Sequence, residues 1–208
     1  MKFVVIADSH GQHHNLTFPK GDAIVHAGDI SRHGEENEIL DFLSWFSKLD
    51  FKYKIFIAGN HDFFFERTTQ EEIEKVIPKN VTYLRDNGIT IENIKIWGSP
   101  ITPWFFNWAF NRHRGDPIAR HWHLIPSDID LLITHGPVFC KLDRTKDGKN
   151  VGCKDLLATV RKIKPKVHVC GHIHEGYGQI NTSMTKFINA SVLDENYILK
   201  NQPITFDL

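Results

Sequence analysis

Phe3-Val4-Val5-Ile6-Ala7-Asp8-Ser9-His10 is the stretch whose reading decides the fold. A run of aromatic and β-branched residues stops abruptly at a carboxylate and an imidazole. The apolar part suits a buried strand and is too short for a buried helix. The same pattern recurs along the chain. Ala23-Ile24-Val25 runs through His26-Ala27 into Gly28-Asp29, and Lys54-Ile55-Phe56-Ile57-Ala58 runs into Gly59-Asn60-His61-Asp62. Leu131-Leu132-Ile133 leads into Thr134-His135-Gly136, and Val167-His168-Val169-Cys170 into Gly171-His172-Ile173-His174. Each predicted strand therefore delivers ligand-type side chains just past its carboxyl end.

Helical patterns lie between these strands. Ile39, Phe42, Leu43 and Phe46 fall at i, i+3, i+4 and i+7, which predicts an amphipathic helix inside Gly34–Leu49. Leu156, Leu157, Val160 and Ile163 predict another, stopped by Pro165, and a weaker one covers Gln70–Ile77 before Pro78. Thr90-Ile91 and Ile94-Lys95-Ile96-Trp97 flank Glu92-Asn93 as a hairpin. Phe187-Ile188 and Ile204-Thr205-Phe206 supply late strands. Without a repeat or a linker, the expectation is one α/β domain over residues 1–208 with mixed sheets.

Composition narrows the function classes. Lys plus Arg is 25 and Asp plus Glu is 25, a formal net charge of zero. Proteins that live on nucleic-acid phosphates or anionic lipid are usually basic, so neither an extended nucleic acid nor a membrane is expected as a partner. Lys2 is followed only by Phe3 to Ala7 before Asp8 interrupts, shorter than the apolar core of a secretion signal. The three cysteines, Cys140, Cys153 and Cys170, form no C-x-x-C pair, which favours a reducing compartment and a cytoplasmic location. Histidine, the commonest metal ligand, occurs 13 times.

In α/β sheets the loops past the carboxyl ends of neighbouring strands converge on one crevice. Residues two apart on an extended segment point the same way. Asp8 and His10 are therefore expected to face one ion together, and His172 and His174 likewise. Gly28, Gly59, Gly136 and Gly171 are expected to let the backbone turn tightly beside them. Each piece alone is weak, and a lone strand-end histidine is more often structural. The ordered set D-x-H, G-D, G-N-H-D, a lone histidine and G-H-x-H is specific.

That set resembles the calcineurin-like dinuclear metallophosphoesterase superfamily, from Lys2 to about Asn189. Trp97-Gly98-Ser99-Pro100, with Pro103-Trp104-Phe105-Phe106-Asn107-Trp108-Ala109-Phe110-Asn111, is similar to its small single-domain phosphodiesterase branch. The resemblance implies a four-layer sandwich of two mixed β-sheets flanked by helices. It implies that Asp8, His10, Asp29 and His174 bind one ion and that Asp29, Asn60, His135 and His172 bind a second, with Asp29 bridging. It places His61 toward the substrate as a donor to the leaving group, its ring oriented by Asp62, and brings Asn189 to the site. The implied activity is hydrolysis of a cyclic nucleotide or other small phosphodiester by a hydroxide bridging two metals.

The chemistry agrees with these assignments. Two divalent ions outweigh two carboxylates and a hydroxide, leaving a positive centre suited to an anionic phosphoryl group. Imidazole, carboxylate and amide ligands without thiolate fit manganese first, with iron, zinc or nickel as alternatives, better than calcium. A protein Ser/Thr phosphatase of the same superfamily reads G-D-x-x-D-R-G and G-N-H-E, whereas this chain has Gly28-Asp29-Ile30-Ser31-Arg32-His33-Gly34 and ends the second motif in Asp62. A non-catalytic scaffold would be expected to have lost a ligand, and none is missing. The expected partner is a small phosphorylated substrate, a nucleotide among the candidates; the oligomeric state is left open. Pro100–Ile125 carries Trp104, Phe105, Phe106, Trp108, Phe110 and Trp122 with Arg112, Arg114 and Arg120. Packing is the expectation for most of these rings, in a satellite cluster or a dimer contact, with a substrate lid as the alternative. His26 and His168, inside strands, are expected to be hydrogen-bonded core residues.

Overall fold

In the computed structural model, which describes residues 1–208, the opening apolar run forms strand β1 (Lys2–Ile6), buried throughout after Lys2. It pairs in parallel with β2 (Ala23–Ala27), β2 with β3 (Tyr53–Ile57), and β3 with the short β4 (Thr82–Tyr83). The last strand of the chain, β13 (Ile204–Asp207), closes the other edge antiparallel to β1. The second sheet uses β5 (Asn87–Ile91), β6 (Ile94–Ser99), β9 (Leu131–Thr134), β10 (Val167–Cys170), β11 (Gly178–Asn181) and β12 (Lys186–Asn189). Its order is β11-β12-β10-β9-β6-β5, parallel at the centre and antiparallel at both edges. A separate parallel pair joins β7 (Thr102–Pro103) to β8 (Asn111–Arg112).

Strand residues alternate between two cores. Phe3, Val5, Val25, Ile55 and Ile57 of one sheet meet Leu131, Ile133, Val167, Val169 and Ile188 of the other between the sheets. Val4, Ile24 and Phe56 face outward into a second cluster with Ile39, Phe42, Leu43 and Phe46 of α1 (Glu36–Ser47) and with Phe65 of α2 (Phe63–Arg67) and Ile73 of α3 (Gln70–Val76). On the far side Leu132 packs with Ile118 and Trp122 of α4 (Asp116–Trp122) and Leu156 and Val160 of α5 (Lys154–Ile163). This is the expected sandwich of two mixed sheets flanked by helices. No helix is long and apolar enough to cross a membrane.

Local sequence explains the element ends. A capping box between Glu35 and Glu38 starts α1, and α5 ends at Lys164, which turns left-handed before Pro165. Glu92 and Asn93, with φ of 46° and 66°, make the tight hairpin turn between β5 and β6. His26 Nε2 lies 2.9 Å from Ser9 Oγ, and His168 Nε2 lies 2.7 Å from Thr134 Oγ1, so both strand histidines are hydrogen-bonded core residues. The sheets are stitched together at their carboxyl edges. The Ala7 N–H donates to Ala190 O at 2.8 Å, and the Val192 N–H donates to Ala7 O at 3.0 Å.

Phe56 sits among the rings of Phe42, Phe46, Phe65 and Tyr83, with centroids 4.9–6.3 Å away. Replacing Phe56 by Ala is expected to cost about 3–5 kcal/mol in chemical denaturation. Phe106→Ala, at a ring 65% exposed, is expected to stay within about 0.5 kcal/mol.

Candidate metal centre

β1, β2, β3, β9 and β10 all end at the same edge of the sandwich, and within four residues of each end stands a polar ligand-type side chain. The residues themselves do the turning. Asp8, His10, Asp29 and His172 adopt φ of 55°, 40°, 56° and 69°, left-handed conformations that such residues occupy at an energetic cost. Among the four neighbouring glycines only Gly28, at φ 98°, is needed for the turn. Gly59 and Gly171 are needed for space, because a Cβ there would run into the carboxylates of Asp29 and Asp8 respectively.

The chain past β10 also overturns one expectation. His172 and His174 go to different groups, because the chain enters a short 3-10 turn at His174 instead of continuing as a strand. One group gathers Asp8, His10 and His174, and another gathers Asp29, His135 and His172, each with its ligand atoms within 4.8 Å of one another. Asp29 stands between the groups: its Oδ2 is 3.6 Å from His10 Nε2 and 3.3 Å from His135 Nε2. Asn60 joins the second group through Oδ1, 3.0 Å from His135 Nε2. The structure thus brings all seven residues to one place.

Three imidazoles are held in the same manner. His10, His135 and His174 each donate from Nδ1 to a backbone carbonyl, those of Ser31, Ala27 and Asp194, at 3.2, 2.9 and 2.9 Å. Each thereby turns Nε2 toward the carboxylates, the arrangement that suits a metal-ligating histidine. His10 Nε2 is buried without a hydrogen-bond partner. An orphaned ring nitrogen facing a buried carboxylate, in a set of imidazole, carboxylate and amide donors, fits divalent metal binding.

The charges are balanced accordingly. Burial pushes His10 and His172 down to about 4, keeping both rings neutral and their lone pairs free. Burial acts the same way on His135, but the Asp29 and Asp8 charges and the Ala27 carbonyl outweigh it and raise that ring to about 9. Burial opposes the charge on Asp29, yet His135, His61 and His10 hold it well below the usual carboxylate range. Asp8 accepts the His172 N–H at 2.9 Å and the Ser191 hydroxyl at 2.5 Å, and the His61 N–H reaches Asp29 Oδ1 at 2.8 Å.

His61 and Asp62 part company. The resemblance implies that Asp62 orients the His61 ring, but that ring donates from Nδ1 to Arg32 O at 2.8 Å instead. Asp62 is fully buried and accepts from the N–H groups of Ile30, Ser31 and Gly59 and from the Ser31 hydroxyl. It ties the Asp29 loop to the Gly59-Asn60 loop, because those free N–H groups need an acceptor away from water. Burial and the charge of Asp29 push it up to about 6. Asn189 likewise serves the backbone: its amide donates to Ile173 O at 2.8 Å, bracing the turn that carries His172.

A cavity of about 440 Å³ opens beside Asp29, Asn60, His172 and His174. His61, Trp104, Phe105, Trp108, Arg114 and Tyr197 line it. The aromatic segment is therefore divided. Phe110 and Trp122 are core, whereas Trp104 and Phe105 are 50% and 57% exposed in the cavity wall. Trp108 stacks on His61, centroids 4.2 Å apart at 29°. Tyr197 was not singled out from the sequence, where Asp194-Glu195-Asn196 before it marks only a turn. Burial and the negative charges of Asp29 and Asp8 raise its phenol, which stays a hydrogen-bond donor. A larger hollow of about 610 Å³, near Lys141 and Arg161, includes none of these residues.

Comparison with known proteins agrees with the geometry. Residues 1–176 match the family described as calcineurin-like phosphoesterase. Metallophosphoesterase domain-containing protein 1 of Homo sapiens is 39% identical over all of this chain and 71% of its own length. A UPF0046 protein of Caenorhabditis elegans is 37% identical over all of this chain and 60% of its own. The solved structure of phosphopantetheinyl hydrolase from Mycobacterium tuberculosis superimposes with a TM-score of 0.65 at 13% identity, covering 94% of this chain and 90% of that one, a likeness of fold. The match over residues 1–176 and the identity along the whole chain place it in the calcineurin-like phosphoesterase family, metal-dependent hydrolases of phosphoric esters that typically bind two divalent ions.

Proposed function

We propose that this chain is a phosphodiesterase for small ring-bearing phosphodiesters, cyclic nucleotides among them. In this reading Asp8, His10, Asp29 and His174 hold one divalent ion and Asp29, Asn60, His135 and His172 the other. The observation that carries it is the cavity. At about 440 Å³ it has the size of a small-molecule site, and it joins the carboxylate–imidazole centre to a wall of Trp104, Phe105 and Trp108. Indole and phenyl faces suit a base or other aromatic group. Arg114 donates to the carbonyls of Val151 and Gly152 at 2.7–2.9 Å, which fixes a cation in the wall for an anionic ligand.

Two ions bound there would supply Lewis acidity and an activated water at neutral pH. The donor set, without thiolate, favours manganese. The chain's own residues do the rest. With Nδ1 committed to Arg32 O, His61 exchanges its proton at Nε2, the nitrogen left for a leaving alkoxide. Trp108 stacked on the ring limits its rotation. Three free cysteines, one of them exposed, accord with a cytoplasmic setting.

The test is a panel assay of manganese-reconstituted protein on aryl phosphomonoesters, aryl phosphodiesters, and 2′,3′- and 3′,5′-cyclic nucleotides. Diesters are expected to be hydrolysed with the higher kcat/KM, and a clear preference for monoesters would overturn the phosphodiesterase reading.

Elemental analysis of active protein is expected to find about two transition-metal ions per chain, with chelation abolishing turnover. Asp29→Ala should lose more metal and more activity than His10→Ala, since Asp29 serves both groups and His10 one.

His61→Ala should keep its metal and its fold. Its loss in rate should be small for nitrophenyl diesters, whose leaving group departs unprotonated. For alkyl or nucleoside diesters the loss should reach roughly 10²–10⁴-fold. Parallel plots of log rate against leaving-group pKa for wild type and variant would remove His61 from that role.

A further inference from the structure

Tyr197 stands in a left-handed conformation, φ 60°, which is a genuine outlier for a bulky side chain. The surrounding structure forces it there. The Asp194 carbonyl accepts from His174 Nδ1 and from the Tyr197 N–H, both at 2.9 Å, so one oxygen positions the imidazole and the tyrosine together. Asp194 Oδ1 also accepts the N–H groups of Asn196 and Ile198, and Gln12 Nε2 donates to Tyr197 O at 3.0 Å. Strain of this kind persists where neighbours over-determine it, and it concentrates at functional sites.

The held ring lies over one flank of the centre. Its centroid is 5.0 Å from the ring of His10 and 5.1 Å from that of His174. On another side of His10, 4.6 Å away, is His61. Tyr197 is 48% exposed, and that exposed part lines the cavity. The hydroxyls of Tyr53 and Tyr177 bond to Glu92 and to the Gln202 carbonyl, but that of Tyr197 has no protein partner. Tyr197 therefore brings an unpartnered donor to the wall of the cavity where the proposed function puts a phosphoryl group. Preorganised donors of this kind stabilise charge on phosphoryl oxygens without reorganising at the moment of reaction.

Resting on that proposed function, we infer that Tyr197 is a substrate-contacting residue whose phenolic hydroxyl donates a hydrogen bond to a phosphoryl oxygen on the His10–His174 side of the centre. No bond is made or broken by it. The hydroxyl keeps its proton and contributes by binding the anion, in ground state and transition state alike. The strained turn is the device that delivers it.

The experiment compares manganese-loaded wild type with Tyr197→Phe, which keeps the ring and removes the hydroxyl. Tyr197→Asn, which accepts the left-handed backbone, is the second variant. Metal content, affinity for inorganic phosphate by calorimetry, and kcat and KM on an aryl phosphodiester are measured for all three. Both variants are expected to retain the wild-type metal content and to bind phosphate about tenfold more weakly, the usual scale of a lost hydrogen bond to a charged group. Their kcat/KM should fall by about the same factor or more. Phosphate binding unchanged in Tyr197→Phe would overturn the inference and leave the ring as a cover for the imidazoles. Loss of metal in Tyr197→Phe would also overturn it, making the residue a support for His10 and His174. If metal-loaded wild type neither binds phosphate nor hydrolyses any ester of the panel, the proposed function itself fails, before any variant is compared, and the inference falls with it.

Discussion

Two carboxylates withdrawn from water at a single junction need compensating charge or donors close by. Asp8 and Asp29 are 0% and 2% exposed, and the surrounding residues are arranged to meet that need. Backbone N–H groups of His172 and His61 point at them, Ser191 donates to Asp8, and three imidazoles turn their Nε2 atoms inward. Those imidazoles are in turn fixed from behind by carbonyls of Ser31, Ala27 and Asp194. The same demand explains why Gly59 and Gly171 have no side chains, since any would occupy the carboxylates' own space. Compensation within the protein alone is incomplete: His10 Nε2 stays unpartnered and His135 is driven to hold a proton beside Asp29. A divalent cation, of which the family typically binds two, would supply the missing positive charge without needing the proton.

Much of this centre can be read in the sequence because it sits where pattern and chemistry meet. Strand ends are visible as apolar runs that stop, and Asp8, Asp29, Asn60, His135 and His172 stand just past those stops. The helices at Glu36–Ser47 and Lys154–Ile163 are legible for a similar reason, since their apolar periodicity reports a single buried face. The directions of side chains are a different matter. That His172 and His174 diverge follows from the short 3-10 turn that begins at His174, and nothing in Gly171-His172-Ile173-His174 announces it. Asp62 is a similar case. Its place next to His61 invites a partnership, whereas its oxygens are claimed by N–H groups 31 and 32 residues away. The short strands β4, β7, β8 and β11 and the helices α2 and α4 are set by their neighbours rather than by periodicity of their own.

The aromatic segment shows how one composition can serve two ends. Phe110 and Trp122 enter the outer core, while Trp104 and Phe105 remain half exposed at the cavity. The division follows from anchoring. The Ala109 N–H donates to Asn60 O at 3.1 Å, and the Phe110 N–H donates to Glu66 Oε1 at 3.0 Å. These bonds fasten the return half of the segment to the loop that carries Asn60 and to helix α2 after it, leaving the outgoing half over the opening. The wall of the cavity and the centre beneath it are thus parts of one hydrogen-bonded unit.

The stitch between Ala7 and the Ala190–Val192 segment has a kinetic side. The His172 N–H that reaches Asp8 closes a separation of 164 residues, and the Ser191 hydroxyl closes one of 183. Contacts of such separation carry a loop-closure cost that must be met before they stabilise the fold. Strands β1 to β3 lead into Asp8, His10, Asp29 and Asn60, whereas the imidazoles of His135, His172 and His174 that complete the set come from the later half of the chain. An ion held by all seven residues would therefore need both halves docked, and a half-folded chain would offer metals little more than scattered, weakly chelating side chains.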